Sequence, residues 1–150
     1  MASTNIDASS EVKAPVRQSL LALAWRPVAL ALGDACSFFV FAAVGRASHN
    51  ETAGVTAFVE VAKTAAPFAL GWFAVAPFFG VYRRAHTATV QTMLLRTTLA
   101  WLCAWPLGLV LRGIVKSEIP PLSFAIVTLL VNTLFLGFWR GLFALLTKRR

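Results

Sequence analysis

Acidic side chains are scarce in this sequence, where six Asp and Glu residues stand against fourteen Lys and Arg residues. Charged residues of both signs make up only 13% of the 150 residues, whereas hydrophobic residues make up 58% and mean hydropathy is +0.72. So little polar surface cannot cover a water-soluble globule of this size. The composition therefore excludes an ordinary soluble domain and favours a membrane protein.

Metal-binding and catalytic motifs are also lacking. The two cysteines, Cys36 and Cys103, lie in apolar stretches, and the two histidines, His49 and His86, lie in different loops. No zinc-protease, phosphate-loop, nucleophile-elbow or dinucleotide motif occurs. We therefore expect no metal site, no cofactor, no catalytic residues and no enzymatic activity.

The net charge of +8 does not indicate a nucleic-acid partner. A nucleic-acid interface needs basic residues clustered on one face or stripe, whereas the basic residues here flank apolar segments. The partner predicted from this pattern is the lipid bilayer.

Long apolar stretches account for most of the chain. A helix needs about 20 apolar residues to cross the hydrocarbon core of a bilayer. The predicted spans cover residues 27–45, 64–82, 91–111 and 119–139. Short connections between most of them favour antiparallel neighbours. The predicted fold class is all-α, namely a polytopic membrane protein with an antiparallel bundle of four transmembrane helices.

Polar or amphipathic segments flank this membrane domain, which we place at residues 27–141. Residues 1–15 are predicted to be a polar, disordered cytoplasmic tail. Residues 16–26 are predicted to be an amphipathic segment at the membrane interface. Residues 142–150 form a basic cytoplasmic tail in this prediction.

The distribution of basic residues predicts the orientation of the spans. Ten of the fourteen basic residues belong to the two termini and the side that contains the second loop. The other four are Arg46, Lys63, Arg112 and Lys116. Because cytoplasmic segments retain positive charge during insertion, both termini should be cytoplasmic. We expect a multi-pass protein of the cell (plasma) membrane.

Three polar residues lie at similar depth in the predicted spans: Asp34, Arg96 and Asn132. Ionisable groups inside a membrane usually face the interior of the protein and often mark ion paths. The depth match permits an intramembrane cluster. Asp34 and Arg96 could instead form a structural pair that fixes the helices, or Arg96 could extend to the lipid headgroups.

A second candidate cluster is predicted at the outer face, from Arg46, Ser48, His49 and Arg112. Two guanidinium groups beside a histidine could hold a carboxylate or phosphate, because their fork geometry matches such anions. The alternative is simple contact with lipid headgroups.

Small residues predict where helices pack closely. Ala31 and Ala35 lie on one face of the first span, and Gly137 and Gly141 form a GxxxG pattern at the end of the fourth. Small side chains let helix backbones approach. These faces could pack within the protein or form a dimer interface.

Several of these positions together resemble a known family of small four-helix membrane proteins of unknown function, found mainly in bacteria with archaeal and plastid relatives. The resemblance rests on Gly33-Asp34, Gly45-Arg46-Ala47-Ser48-His49, Pro67-Phe68, Gly71-Trp72, Gly80, Tyr82, Pro106-Leu107-Gly108, Leu111-Arg112, Phe124, Val127 and Trp139-Arg140. It implies a four-helix fold and a membrane location, and it implies no mechanism.

Two functions are compatible with these predictions. The first is transport of a small ion or solute along a path that includes Asp34, which would need a homo-oligomer because four helices rarely enclose a pathway alone. The alternative is a structural or assembly subunit of a larger membrane complex.

Overall fold

The computed structural model is all-helical over the residues that it describes, which are 13–47, 55–87 and 89–148, with side chains over 25–46, 57–87 and 89–147. Four long helices account for most of these residues. They are α1 (Lys13–Ala47), α2 (Val55–Val75), α3 (Val90–Lys116) and α4 (Leu122–Lys148). The predicted all-α class is confirmed.

Each helix, in the case of α2 together with the turn that follows it, supplies a segment long and apolar enough to cross a membrane. These segments are Trp25–Arg46, Ala57–Phe79, Val90–Lys116 and Leu122–Thr147. The first and third segments contain the predicted spans 27–45 and 91–111. The fourth covers most of the predicted span 119–139 and extends to Thr147. The apolar helices are typical of a membrane protein.

The second segment ends earlier than predicted, at Phe79 instead of Tyr82. The α-helix stops at Val75 and gives way to a 3₁₀ turn over Ala76–Phe79 with Pro77 near its start. Gly80 then adopts a left-handed conformation with φ 62° and donates its N–H to the Pro77 carbonyl. This conformation is easy only for glycine, so the chain turns here and Tyr82 lies outside the span.

The helices continue beyond both ends of the predicted membrane domain. The proposed interfacial segment, residues 16–26, is continuous with α1, which begins at Lys13 and passes through Pro27. At the other end, α4 continues to Lys148. Most of the predicted C-terminal tail is therefore helical.

The four helices pack in a closed order in which α1 contacts α2 and α4, and α3 also contacts α2 and α4. The centre of this arrangement is aromatic. Phe38, Phe68, Trp72 and Trp101 come from the first three helices and are each 0% exposed. The Phe38 and Trp101 ring centroids lie 5.5 Å apart in a tilted arrangement, which is favourable for aromatic pairs.

Helices α2 and α3 approach closely at two glycines. A Cβ on Gly71 would lie 3.0 Å from the Ala104 carbonyl oxygen, and a Cβ on Gly108 would lie 2.5 Å from Cδ1 of Phe68. A third glycine, Gly33 on α1, lies directly against the Trp139 indole of α4. Glycine suits these contacts because any side chain would force the neighbouring atoms to move, most of all at Gly33 and Gly108.

The packing residues predicted from sequence occupy partly buried positions. Ala31 and Ala35 are both of intermediate exposure on α1. Cβ positions built on Gly137 and Gly141 lie 3.9 and 4.0 Å from Cδ2 of Leu94, so this pair faces α3. The GxxxG face thus contacts a neighbouring helix, although less tightly than the glycines at the α2–α3 contact.

Large apolar side chains cover the outward faces of all four helices. Leu32, Leu70, Val110 and Leu134 are examples, each more than half exposed. In water such a surface would be an aggregation liability, whereas in a bilayer it contacts lipid chains.

Candidate functional site

A buried ion pair joins the first and last helices. Asp34 of α1 and Arg140 of α4 are both 0% exposed. Arg140 donates Nε to Asp34 Oδ1 at 2.9 Å and Nη2 to Asp34 Oδ2 at 2.5 Å. This two-point geometry is the strongest form of an arginine–carboxylate contact.

Two aromatic side chains complete the coordination of the Asp34 carboxylate. The Trp72 indole N–H donates to Oδ2 at 3.0 Å, and the Tyr82 hydroxyl donates to the same oxygen at 2.9 Å. The third nitrogen of Arg140, Nη1, donates to the Val81 carbonyl at 3.1 Å. The set Asp34, Trp72, Tyr82 and Arg140 is called the Asp34–Arg140 cluster below.

Every polar side-chain atom of the ion pair therefore has a protein partner. The Arg140 guanidinium also lies 5.2 Å from the Trp72 ring centroid and 5.1 Å from that of Tyr82, distances at which a cation is attracted by an aromatic face. The cluster connects α1, α2, α4 and the turn after α2. Chemically, this arrangement suits a structural anchor, because buried charges are tolerated when they are paired and hydrogen-bonded.

The other two members of the predicted intramembrane cluster have different partners. Arg96 donates Nη1 to the Phe79 carbonyl at 3.0 Å and so holds the turn after α2. Asn132 is fully buried and donates to the Thr128 carbonyl of its own helix, while its Oδ1 has no hydrogen-bond partner. The partner considered for Asp34 was Arg96, and the structure instead places Arg140 there.

Arg140 was missed because it was counted among the basic residues at the cytoplasmic end of the fourth span. A sequence signal existed, since the residues from Gly141 to Leu146 are again apolar and continue the helical pattern. An arginine that is followed by almost two more apolar helical turns lies within the membrane-spanning part of the helix. Such an arginine is expected to have a buried partner. Asp34 is the corresponding buried acid.

A second site lies at the other end of the helices, and we call it the basic pocket. It has a volume of about 640 Å³ and is lined by Phe41, Ala42, Gly45, Arg46, Glu60, Thr64, Arg112, Lys116, Ser123, Phe124 and Val127. The structure brings Arg46 and Arg112 to this pocket, as the predicted outer-face cluster requires. The other two members of that prediction, Ser48 and His49, lie outside the described residues.

The Arg112 side chain is the unusual element of the basic pocket. Its guanidinium carbon lies 4.1 Å from the centroid of the Phe124 ring. Its Nε and Nη1 atoms are buried without any hydrogen-bond partner. Donors of this kind are rarely left unsatisfied in a folded protein, because desolvating them costs free energy.

One acidic residue, Glu60, lines the same pocket. It accepts a hydrogen bond from Lys63 at 2.7 Å and lies 3.8 Å from the Lys116 ammonium. The carboxylate is thus engaged by lysines. Within the described part of the chain, no three His, Cys, Asp or Glu side chains are grouped as metal ligands.

The two sites lie in a region that matches a known family. Residues 31–143 match the family described as Protein of unknown function (DUF3054). The chain belongs to this family. The resemblance drawn from the sequence is therefore confirmed, and the DUF3054 region contains Asp34, Arg140 and the whole basic pocket. No curated protein and no solved structure matches the chain, so the function must be inferred from the sites.

Proposed function

We propose that the protein is a non-enzymatic integral membrane protein of the plasma membrane, in which four helices cross the bilayer as an antiparallel bundle with both termini cytoplasmic. The basic pocket supports the antiparallel arrangement, because its lining combines the C-terminal ends of α1 and α3 with the N-terminal ends of α2 and α4. The excess of basic residues at the opposite end supports the orientation.

The orientation predicts how single cysteines will react in intact cells. After Cys36 and Cys103 are replaced by alanine, Glu118→Cys should react with a membrane-impermeant maleimide, whereas Ala85→Cys should react only after the cells are opened. Both positions are exposed in the structure, so accessibility from one side should decide the result. The opposite labelling pattern would reverse the orientation.

We further propose that the protein receives a small solute in the basic pocket and transports it as a homo-oligomer. The observation that carries this proposal is the pocket itself, which lies between the ends of all four helices and holds the unpartnered donors of Arg112. The Asp34 carboxylate is a weaker candidate for a solute site because all of its hydrogen bonds go to protein groups.

A variant that fills the pocket tests this function. Gly45 lines the basic pocket and a Cβ on it meets no atom within 4 Å, so Gly45→Trp should place a large side chain at the pocket without a clash in the helices. Purified protein should have an oligomeric mass, and stopped-flow light scattering of proteoliposomes should show faster uptake of at least one solute from a panel of glycerol, glycine, sodium acetate and sodium phosphate. Gly45→Trp should abolish that increase.

The matched control is Leu130→Trp, which introduces the same side chain at an outward position that is 57% exposed. This variant should retain uptake. A monomeric protein whose vesicles show the same rates as protein-free vesicles for the whole panel would rule out the transport proposal.

The second candidate is a structural or assembly subunit of a larger membrane complex. The saturated Asp34–Arg140 cluster and the apolar outward faces favour it, since both suit a rigid unit that packs against other membrane helices. Stoichiometric co-purification of a second membrane protein from native membrane, without solute uptake, would support this candidate over transport.

A further inference from the structure

The unsatisfied donors of Arg112 point to a ligand that accepts hydrogen bonds. Nε and Nη1 are buried, lack partners and belong to a side chain that lines the basic pocket. Guanidinium nitrogens can only donate, so the missing partner must be an acceptor. Nε and Nη1 each share one edge of the guanidinium with Nη2, and an oxyanion can bind either edge with two of its oxygens.

The charge of the pocket favours an anion over a neutral acceptor. Arg46, Arg112 and Lys116 supply three basic groups to the lining, whereas Glu60 supplies one acid. Arg112 and Lys116 are four residues apart on α3, a spacing at which like charges face each other and repel. A bound anion would relieve this repulsion further, because Glu60, the one acid in the lining, is shared between Lys63, to which it is hydrogen-bonded, and Lys116, which lies 3.8 Å away.

The remaining lining residues suit a phosphate group in particular. Thr64 and Ser123 contribute hydroxyl groups, which can donate to the additional oxygens that a phosphate has and a carboxylate lacks. Phe41, Ala42 and Val127 make the rest of the surface apolar and lower its effective dielectric, which strengthens each ionic contact. Phe124 holds the Arg112 guanidinium by its aromatic face.

We propose that the basic pocket is a phosphate-binding site in which Arg112 is the principal ligand. This inference rests on the proposed solute-binding role of the pocket and names the chemical class of the ligand. The phosphate group could be free inorganic phosphate or the headgroup of an anionic phospholipid, because both present the same oxyanion to the guanidinium.

Two arms of one experiment distinguish the sources. In the first, purified full-length protein in a neutral detergent is titrated with sodium phosphate, against sodium chloride at equal ionic strength, by isothermal calorimetry. In the second, its thermal midpoint is compared in phosphatidylcholine nanodiscs with and without phosphatidic acid. Heat of binding in the first arm identifies free phosphate, and stabilisation in the second arm alone identifies the lipid headgroup.

Arg112→Gln should weaken the binding seen in either arm by at least about tenfold, since it removes the charge and the fork. Gly45→Trp should also weaken binding, because it fills the pocket while Arg112 is retained. This variant tests the proposal if Arg112→Gln fails to fold. The control is Arg83→Gln, at an exposed arginine that follows α2 and is not part of the pocket lining, which should bind as wild type does.

The phosphate inference fails if wild-type protein shows no effect in either arm, or if both pocket variants bind as tightly as wild type. These outcomes are distinct from failure of the transport proposal. Phosphate binding without any solute uptake would support the phosphate site and refute transport. Uptake of glycerol or glycine without phosphate binding would support transport and refute the phosphate site.

Discussion

Asp34→Asn is expected to lower the free energy of unfolding by about 3–5 kcal/mol, because it leaves the Arg140 guanidinium buried without its counter-charge. Both side chains are 0% exposed, so water cannot replace the lost carboxylate. The substitution keeps the size of the side chain and therefore tests the charge rather than the packing. Unfolding of purified protein in mixed micelles of SDS and a mild detergent, followed by circular dichroism, measures the loss.

A double variant tests whether the loss of stability comes from the unpaired charge. Replacing a buried ion pair by apolar side chains of similar volume is often neutral or stabilising, whereas removing one partner is costly. Asp34→Leu combined with Arg140→Met should therefore recover most of the stability lost in Asp34→Asn. Glu118→Gln, at an exposed acid between α3 and α4, is the control and should change stability by less than about 0.5 kcal/mol. Wild-type stability in Asp34→Asn would refute the anchoring role of the cluster.

The same double variant bears on the location of the solute site. If transport uses the basic pocket and the Asp34–Arg140 cluster only anchors helices, a folded Asp34→Leu, Arg140→Met protein should retain the uptake that Gly45→Trp abolishes. Loss of uptake in a double variant of normal stability would instead favour the path through Asp34 that the sequence suggested.

Gly108→Ala is expected to destabilise the protein by about 1–3 kcal/mol through overpacking. The new Cβ would lie 2.5 Å from Phe68 Cδ1 and 3.2 Å from Phe68 Cα. The Phe68 ring has little freedom to move, because the rings of Trp101 and Phe124 lie 6.4 and 6.0 Å away, centroid to centroid. The same unfolding assay in mixed micelles measures this effect.

The matched control is Gly137→Ala, which changes another helical glycine. Its Cβ would lie 3.9 Å from Leu94 Cδ2, an ordinary contact distance. Alanine favours a helix over glycine by about 1 kcal/mol, so this variant should be no less stable than wild type. Equal losses in Gly108→Ala and Gly137→Ala would show that the α2–α3 contact is not the tight one.

The helices were predictable because their signals are local. Length and hydropathy along the chain predicted four apolar helices, and the structure has them at those places. The end of α2 was less accessible to such reasoning, since an apolar run continues through Val81 while the backbone turns at Gly80. Hydropathy measures how apolar a segment is and carries little information about its backbone dihedral angles.

The candidate sites were only partly predictable. Asp34 was singled out from its charge and depth, and Arg46 and Arg112 from their fork-shaped side chains at helix ends. Lys116, Thr64 and Ser123 were not named for the basic pocket, although Lys116 was counted at the same end of the helices. They line one pocket because of the face that each helix turns inward. A sequence that has apolar residues on most faces of its helices does not specify that rotation.

The sequence by itself determined the all-helical class, the number of apolar spans and the family resemblance, because these follow from composition, length and local motifs. Only the tertiary structure decided that Asp34 pairs with Arg140 rather than Arg96, and that Arg112 faces a pocket with two donors unpaired. The depth of a residue along a helix follows from its number. Whether its side chain faces the interior depends on how the whole helix is rotated against its neighbours. The pairing of buried charges therefore becomes visible only once those helices are assembled.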